Sequence, residues 1–360
     1  MAATTRSLRP FLAVLLAAVL LAACDVEWGG GHVALERPRR PGAASGSTGV
    51  AAPPPVPLPA APFAWVVRLD PDGRATAVPF ARVAAGGLEG LSWPTDADAA
   101  YRARFDSAFA PPGTTFSLQI AGEHAGTLIV SGTRTPVNAG CPSVVDGQAL
   151  VVPGQEMPGF AFAVGPPGAE GLPGRVPVRG LDDRTRTFGP ILAENLLRSA
   201  GVDHPYLAQR ADLRSVALPR DTLPAMAATY LIGDTLAPVA PTSGSAVSLF
   251  YVARYEPAHG YVPVWSEIHR YGSASDKRAL RWLGSLGLGP ADYYMLGLVD
   301  GSAERIAAHR AGASTELAWQ EGGRCAALRS LEEAPRATAP GGGSAGDGTA
   351  AGDGTAGGSS

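Results

Sequence analysis

Two pairs of an acidic residue and a histidine are the side chains of this 360-residue sequence best suited to chemistry. Glu267 and His269 stand two positions apart in a predicted strand, so both side chains point to the same face. Asp203 and His204 are adjacent in a polar segment. A carboxylate beside an imidazole can serve general acid–base catalysis or supply two ligands to a metal ion. Because two ligands do not define a site, a polar strand face and a turn are the simpler interpretation, and we predict no catalytic residue, metal or cofactor.

Residues 1–23 have the pattern of an export signal. Two arginines precede the unbroken apolar run FLAVLLAAVLLAA, which ends in small residues at Ala23, directly before Cys24. The run is too short to span a bilayer, which needs about 20 residues. A positive start, a short apolar run and small residues before the cut are typical of a secretory signal peptide, which is removed from the mature protein.

The segment Leu21-Ala22-Ala23-Cys24 resembles the lipobox of bacterial lipoproteins. This resemblance implies cleavage between Ala23 and Cys24, with Cys24 carrying acyl chains such as palmitate that anchor the protein stably. Asp25 follows the cysteine and, by the same resemblance, favours the inner membrane facing the periplasm, with the outer membrane as the alternative. An ordinary signal peptide with a coincidental cysteine is the competing interpretation.

Cys141 and Cys325 are the two cysteines that remain after lipidation of Cys24. Outside the cytoplasm, an even remainder favours a disulfide, and we predict one between these residues. Two buried free thiols are the alternative. A redox role is not expected, since neither cysteine has the C-x-x-C partner that such chemistry uses.

Composition divides the chain into segments of different character. Residues 24–62 are rich in proline and glycine, which indicates a flexible tether after the lipidated cysteine. Residues 63–152 are predicted to form a small β-rich module and residues 181–334 a β-rich α+β module. Between them, residues 153–180 are a proline- and glycine-rich linker or long ordered loop. Residues 335–360 are a Gly/Ala/Ser tail that lacks apolar side chains and is predicted to be disordered.

The predicted fold is β-rich α+β, mainly antiparallel sheet with a few short helices. Consecutive apolar, β-branched segments separated by short turns favour antiparallel pairing. Short helices are predicted over residues 96–108, with Thr95 as the cap, over 188–200 and over 277–283.

Charge and lysine usage exclude some classes of function. The formal net charge is −3, so the chain lacks the basic footprint of a nucleic-acid-binding protein. Lys277 is the single lysine, which excludes a phosphate-binding loop built on a lysine elsewhere. Aromatic residues are concentrated in the last third of the chain, where they line a binding groove or, on the simpler interpretation, pack a β-rich core.

The leading hypothesis is a lipid-anchored protein of the bacterial cell envelope that binds a partner and has no catalytic activity. The expected partners are the membrane, through the anchor, and an envelope protein, a glycan or a peptide. One alternative is an extracytoplasmic hydrolase whose site is assembled only by the fold, from Glu267, His269 and a further acid or histidine. A second alternative is a solute-binding receptor, which predicts two α/β lobes.

Overall fold

The computed structural model describes residues 54–334 except 86, 169–170, 179–180, 220, 290, 302 and 313–314. Within this part of the chain there are fifteen strands and three α-helices. The helices are α1 (Ala99–Phe109), α2 (Asp183–Ser199) and α3 (Ala327–Glu333), and a 3-10 turn spans Pro205–Leu207. The strands are β1 (Phe63–Leu69), β2 (Arg74–Ala84), β3 (Gly87–Gly90), β4 (Thr115–Ile120), β5 (Glu123–Arg134), β6 (Val144–Val151), β7 (Phe160–Gly165), β8 (Gln209–Val216), β9 (Ala225–Ile232), β10 (Ala246–Glu256), β11 (Gly260–Tyr271), β12 (Arg278–Gly287), β13 (Asp292–Asp300), β14 (Ala303–Arg310) and β15 (Leu317–Gln320).

The first seven strands form a closed sheet. Their order is β1-β7-β4-β5-β6-β2-β3, and pairing of β1 with β2 closes the first six into a barrel. The unbroken apolar run of β1 follows from its position, because both faces are buried. Phe63, Trp65 and Val67 point into the barrel, whereas Ala64 and Val66 point outward into a second cluster. Helix α1 packs against the interior residues, with the ring of Phe105 5.3 Å from that of Phe63.

The remaining strands form two four-stranded antiparallel sheets, β11-β10-β9-β8 and β12-β13-β14-β15. Side chains of both sheets share one core cluster, in which Phe250 and Val252 lie with Leu296 and Leu298, so the sheets pack face to face. The opposite face of the β12–β15 sheet contributes Met295 to the cluster on the outside of the barrel. The layers are therefore the barrel, the β12–β15 sheet, the β8–β11 sheet and helix α2.

The prediction of a β-rich, mainly antiparallel protein is confirmed. The α+β label is loose, because the short helices cover sheets and do not form a layer of comparable size. Helix α1 begins one residue after Asp98, whose carboxylate accepts from Tyr101 N, so Asp98 is the cap and the prediction of Thr95 is wrong. Helix α2 starts earlier than predicted, capped by Asp182.

The predicted helix over residues 277–283 is wrong. All of this segment except Lys277 lies in β12, which pairs antiparallel with β13 from Arg278↔Asp300 to Gly287↔Asp292. Its apolar residues fit either a helix or a strand that is buried on both faces. The segment forms a strand because it pairs with β13 in a sheet that packs between the barrel and the β8–β11 sheet. None of the helices in the described ranges is long and apolar enough to cross a membrane.

The predicted segments at the two ends fall mostly outside the described residues. The predicted signal peptide, the predicted lipidation site Cys24, most of the predicted tether and the predicted tail all lie there. The last part of the predicted tether contacts the barrel, since Leu58 packs on the interior cluster and Arg104 donates to the carbonyl oxygen of Val56. The segment predicted as a linker or loop, residues 153–180, contains β7, which lies between β1 and β4.

Cys141 and Cys325 form a disulfide, with their Cα atoms 5.4 Å apart. The bond joins the loop before β6 of the barrel to the segment before α3, across 184 positions of sequence. The bonded pair is the one predicted from the cysteine count, and the crosslink ties the end of the described chain to its first sheet.

Candidate functional site

A cavity of about 320 Å³ opens where the barrel and the two sheets meet; we call it the junction pocket. Its walls come from the end of β4, the start of β7, strand β8, the segment before α2 and the middle of β12. Most of this lining is apolar and includes the side chains of Ile120, Phe162, Leu213 and Trp282. Cavities with apolar walls and few polar groups are the usual form of small-ligand sites.

A β-bulge in β12 sets the wall of the pocket on that side. Trp282 pairs with Leu296 and Gly284 pairs with Met295. Between these two pairs β12 advances by two residues and β13 by only one, so β12 contains one extra residue. The extra residue shifts the alternation of faces, and Ser285 therefore lies on the same side of the sheet as Trp282. Gly284 faces the barrel, where an added Cβ would lie 3.1 Å from the Phe162 ring.

Ser285 supplies the pocket with an unsatisfied polar group. Its side chain is buried, and its hydroxyl has no hydrogen-bond partner among the described residues. Buried polar groups without partners are uncommon and call for an explanation. The neighbouring polar groups are already occupied: Gln119 bonds both the N–H and the carbonyl of Gly287, and Arg214 donates to Asp212. Because its oxygen is shielded from solvent, only a ligand that packs directly against this wall and carries a hydrogen-bonding group would satisfy Ser285.

The predicted pair Glu267 and His269 lies between the two flat sheets, at their edge. His269 Nε2 is 2.5 Å from Glu267 Oε1, and Arg278 Nε donates to the same oxygen at 3.2 Å. Burial by itself raises the pKa of Glu267. The hydrogen bond from His269 and the electrostatic effects of His269 and Arg278 outweigh it, so its pKa lies below the ordinary value.

His309 is the further histidine that the fold adds to this pair. It is 3% exposed, its ring lies 4.5 Å from that of Trp265, and neither ring nitrogen has a partner among the described residues. Burial lowers the pKa of His309 against the opposing effect of Glu267, which favours a neutral imidazole. In this cluster the Glu267 carboxylate contacts His269 and Arg278, and His309 lies buried beside them. In the described part of the chain, no three His, Cys, Asp or Glu side chains are placed to hold a metal ion.

Asp203 and His204 lie elsewhere. Both are exposed in the turn after α2, and His204 contacts the hydroxyl of Tyr206 at 3.1 Å. Neither residue lines the junction pocket. The predicted aromatic residues mostly pack the core: the rings of Phe250 and Trp265 are 5.2 Å apart. Trp282 serves both purposes, since it packs on Tyr294 and lines the pocket.

No family model, curated protein or solved structure matches the chain. The site must therefore be argued from its own residues.

Sequence reasoning missed the residues that the fold places most unusually. Ser285 gave no signal, because its role depends on a bulge that periodicity does not reveal. Lys277 did give a signal in the sequence, because it is the single lysine of the chain. It is fully buried, and its ammonium group bonds Asp234 and the carbonyl oxygens of Thr235 and Ala237. Glu321 is the third residue that sequence reasoning missed, and it is buried beside a second, smaller cavity.

Proposed function

We propose that this protein is a lipid-anchored binding protein of the bacterial envelope that holds a small, largely apolar ligand in the junction pocket. The observation that carries the proposal is the unpartnered Ser285 hydroxyl in an otherwise apolar cavity of about 320 Å³. The volume is at the lower end of the range of about 300–1,000 Å³ typical of ligand sites. A ligand of one to three aromatic rings, or a short branched chain, with one hydrogen-bonding group matches this lining.

The pocket is built to keep its shape without a ligand. Its walls are strands of three sheets, and Gln119 bridges the barrel to Gly287 of β12 through two hydrogen bonds of 2.8 and 2.9 Å. A preformed pocket loses little conformational entropy when it binds, which favours affinity for a small ligand. Binding, rather than chemistry on the ligand, is the function that such a pocket supports best.

The envelope location rests on the sequence of residues 1–24 and is supported by one structural feature. The disulfide between Cys141 and Cys325 is of a kind that persists in oxidising compartments and is rare in the cytosol. Replacement of Cys24 by alanine is expected to leave an uncleaved, unlipidated precursor. Normal processing of that variant, with an unchanged share in the membrane fraction, would contradict the anchor.

A hydrolase is the second candidate, favoured by the meeting of Glu267, His269 and His309 at the sheet edge. A carboxylate that orients an imidazole is one half of the machinery of general-base catalysis. The test is turnover of chromogenic esters and amides by wild type and by His269→Gln. Turnover that disappears in the variant would favour the enzyme over the binding protein.

The binding proposal is tested with N-phenylnaphthylamine, an uncharged aromatic probe whose fluorescence rises in apolar surroundings and whose N–H can donate to Ser285. The chain from residue 25 onward, made without lipid, keeps all described residues and avoids partition of the probe into a membrane. Saturable binding is expected, about tenfold weaker in Ser285→Ala. Ser266→Ala, on the exposed strand β11, is the matched control and should bind as wild type. Unsaturable binding, or equal binding by all three proteins, would contradict the proposal.

A further inference from the structure

A second cavity of about 220 Å³ lies near the disulfide, between β2 and β15. Three aromatic side chains line it: Phe80, Trp93 and Trp319. The rings of Phe80 and Trp319 are 5.5 Å apart, and the indole N–H of Trp93 donates to the carbonyl oxygen of Gly140 at 2.9 Å. The aromatic walls are thus held in place by core packing and a hydrogen bond. The faces of such rings attract cations.

Glu321 lines the same cavity and carries a buried acid. Its side chain is only 5% exposed, and no Lys, Arg or His of the described residues lies within ion-pair distance of it. Its two oxygens accept from the backbone N–H groups of Ala327, at 2.9 Å, and Ile306, at 3.2 Å. Each oxygen retains a lone pair. A buried carboxylate without a countercharge is costly, and a cationic ligand would supply that charge.

Arg324 adds the opposite charge at the exposed side of the cavity. Its Nη2 donates to the carbonyl oxygens of Thr95 and Gly140, and no carboxylate of the described residues pairs with it. Its remaining N–H groups can therefore bind an anion. The cavity is therefore lined by a buried acid, an exposed guanidinium group and three aromatic rings.

We propose that this cavity binds a small zwitterion, with its ammonium group against the aromatic rings and Glu321 and its carboxylate on Arg324. The volume restricts the ligand to the size of a single amino acid or a methylated amine with an acidic group. A simple cation gains the contacts with Glu321 but is repelled by Arg324. This site is separate from the junction pocket and does not depend on the function proposed for it.

Glu321 gives the binding a characteristic pH dependence. Burial raises the pKa of Glu321 to about 7, against smaller opposing effects of its two backbone hydrogen bonds and of Arg305. The ammonium group of the ligand requires the ionised carboxylate. Affinity is therefore expected to rise between pH 6 and 8 and to level off above.

Calorimetric titration of the chain from residue 25 onward, with the disulfide intact, tests the proposal. The probes are glycine betaine, a zwitterion, and choline, which has the ammonium group without the carboxylate. Betaine is expected to bind more tightly than choline. Arg324→Gln should weaken betaine about tenfold and leave choline unchanged or strengthen it, whereas Glu321→Gln should weaken both and remove the pH dependence. Glu256→Gln, on the surface of β10, is the matched control and should bind both as wild type.

The exposed Arg324 keeps the test decisive even if replacement of the buried Glu321 perturbs folding. Failure of the wild type to bind either probe would overturn the proposal. An equal effect of Arg324→Gln on both probes, or affinity that does not change with pH, would also overturn it. Because these outcomes do not involve Ser285, they leave the account of the junction pocket untouched.

Discussion

Lys277 and Asp234 form an ion pair, 2.8 Å from Nζ to Oδ2, in which both side chains are fully buried. Nζ also donates to the carbonyl oxygens of Thr235 and Ala237, so the single lysine of the chain fixes the loop that follows β9. The hydroxyl of Tyr271 donates to the same carboxylate oxygen, Asp234 Oδ2, at 2.6 Å. The whole arrangement connects both flat sheets, since Tyr271 ends β11 and Lys277 precedes β12.

Replacement of Lys277 by methionine is expected to reduce the free energy of unfolding by about 3–5 kcal/mol, because it leaves the Asp234 carboxylate buried without its countercharge. Urea unfolding measures the change. The double variant Lys277→Met with Asp234→Asn should recover part of the loss, since the amide needs no cation and still accepts from Tyr271. A single variant as stable as wild type would show that the ion pair does not hold the loop.

Glu321 is expected to make stability depend on pH. Its pKa rises from the ordinary 4.5 to about 7 on folding, chiefly through burial, so the folded state favours the protonated acid. The resulting stabilisation is complete below pH 4.5, decreases as the pH rises and is lost by about pH 7. The loss amounts to about 3–4 kcal/mol, at about 1.4 kcal/mol per pH unit.

The measurement is the difference in unfolding free energy between wild type and Glu321→Gln at several pH values, without ligand. Because the amide does not titrate, the difference isolates this one group. The stability of wild type relative to Glu321→Gln should fall between pH 4.5 and 7, and the difference should stay constant above pH 7. A difference that does not vary with pH would show that Glu321 is not desolvated in the folded state.

The disulfide is expected to stabilise the barrel and α3 together. Reduction of Cys141–Cys325 should lower the free energy of unfolding by about 2–5 kcal/mol, since the bond closes a very long loop in the unfolded chain. The variant with both cysteines replaced by serine should match the reduced wild type. Equal stability of the oxidised and reduced protein would contradict this prediction, because it would show that the disulfide does not stabilise the fold.

Ser285→Ala is expected to separate stability from binding. The hydroxyl has no partner among the described residues, so its removal should leave the free energy of unfolding unchanged or slightly higher. The same variant should bind the apolar probe less tightly. Thermal unfolding with and without probe measures both effects. A clear loss of stability without probe would indicate that the hydroxyl has a structural role.

Sequence reasoning predicted most strands of this protein because turns of Gly, Pro and Asp separate apolar segments with β-branched and aromatic residues, such as β1, β9 and β10. It could not predict the layering. Strand β1 is buried on both faces, so its unbroken apolar run does not show which residues face the barrel interior. The same ambiguity made residues 277–283 resemble a helix.

The candidate sites were predictable only where the partners are close in sequence. Glu267 and His269 share a strand face, and their contact follows from two-residue spacing. The other partners depend on the order of the layers: Lys277 meets Asp234 across 43 positions, and the junction pocket combines β4, β7, β8 and β12. No local pattern encodes those distances, because burial between layers brings the residues together.

The most direct test of the account is a crystal structure of the chain from residue 25 onward grown with one equivalent of N-phenylnaphthylamine. We expect density for one probe molecule in the junction pocket, with its rings against Trp282 and its nitrogen within hydrogen-bond distance of Ser285 Oγ. An empty junction pocket, with the probe absent or bound only at the surface, would contradict the proposed binding function.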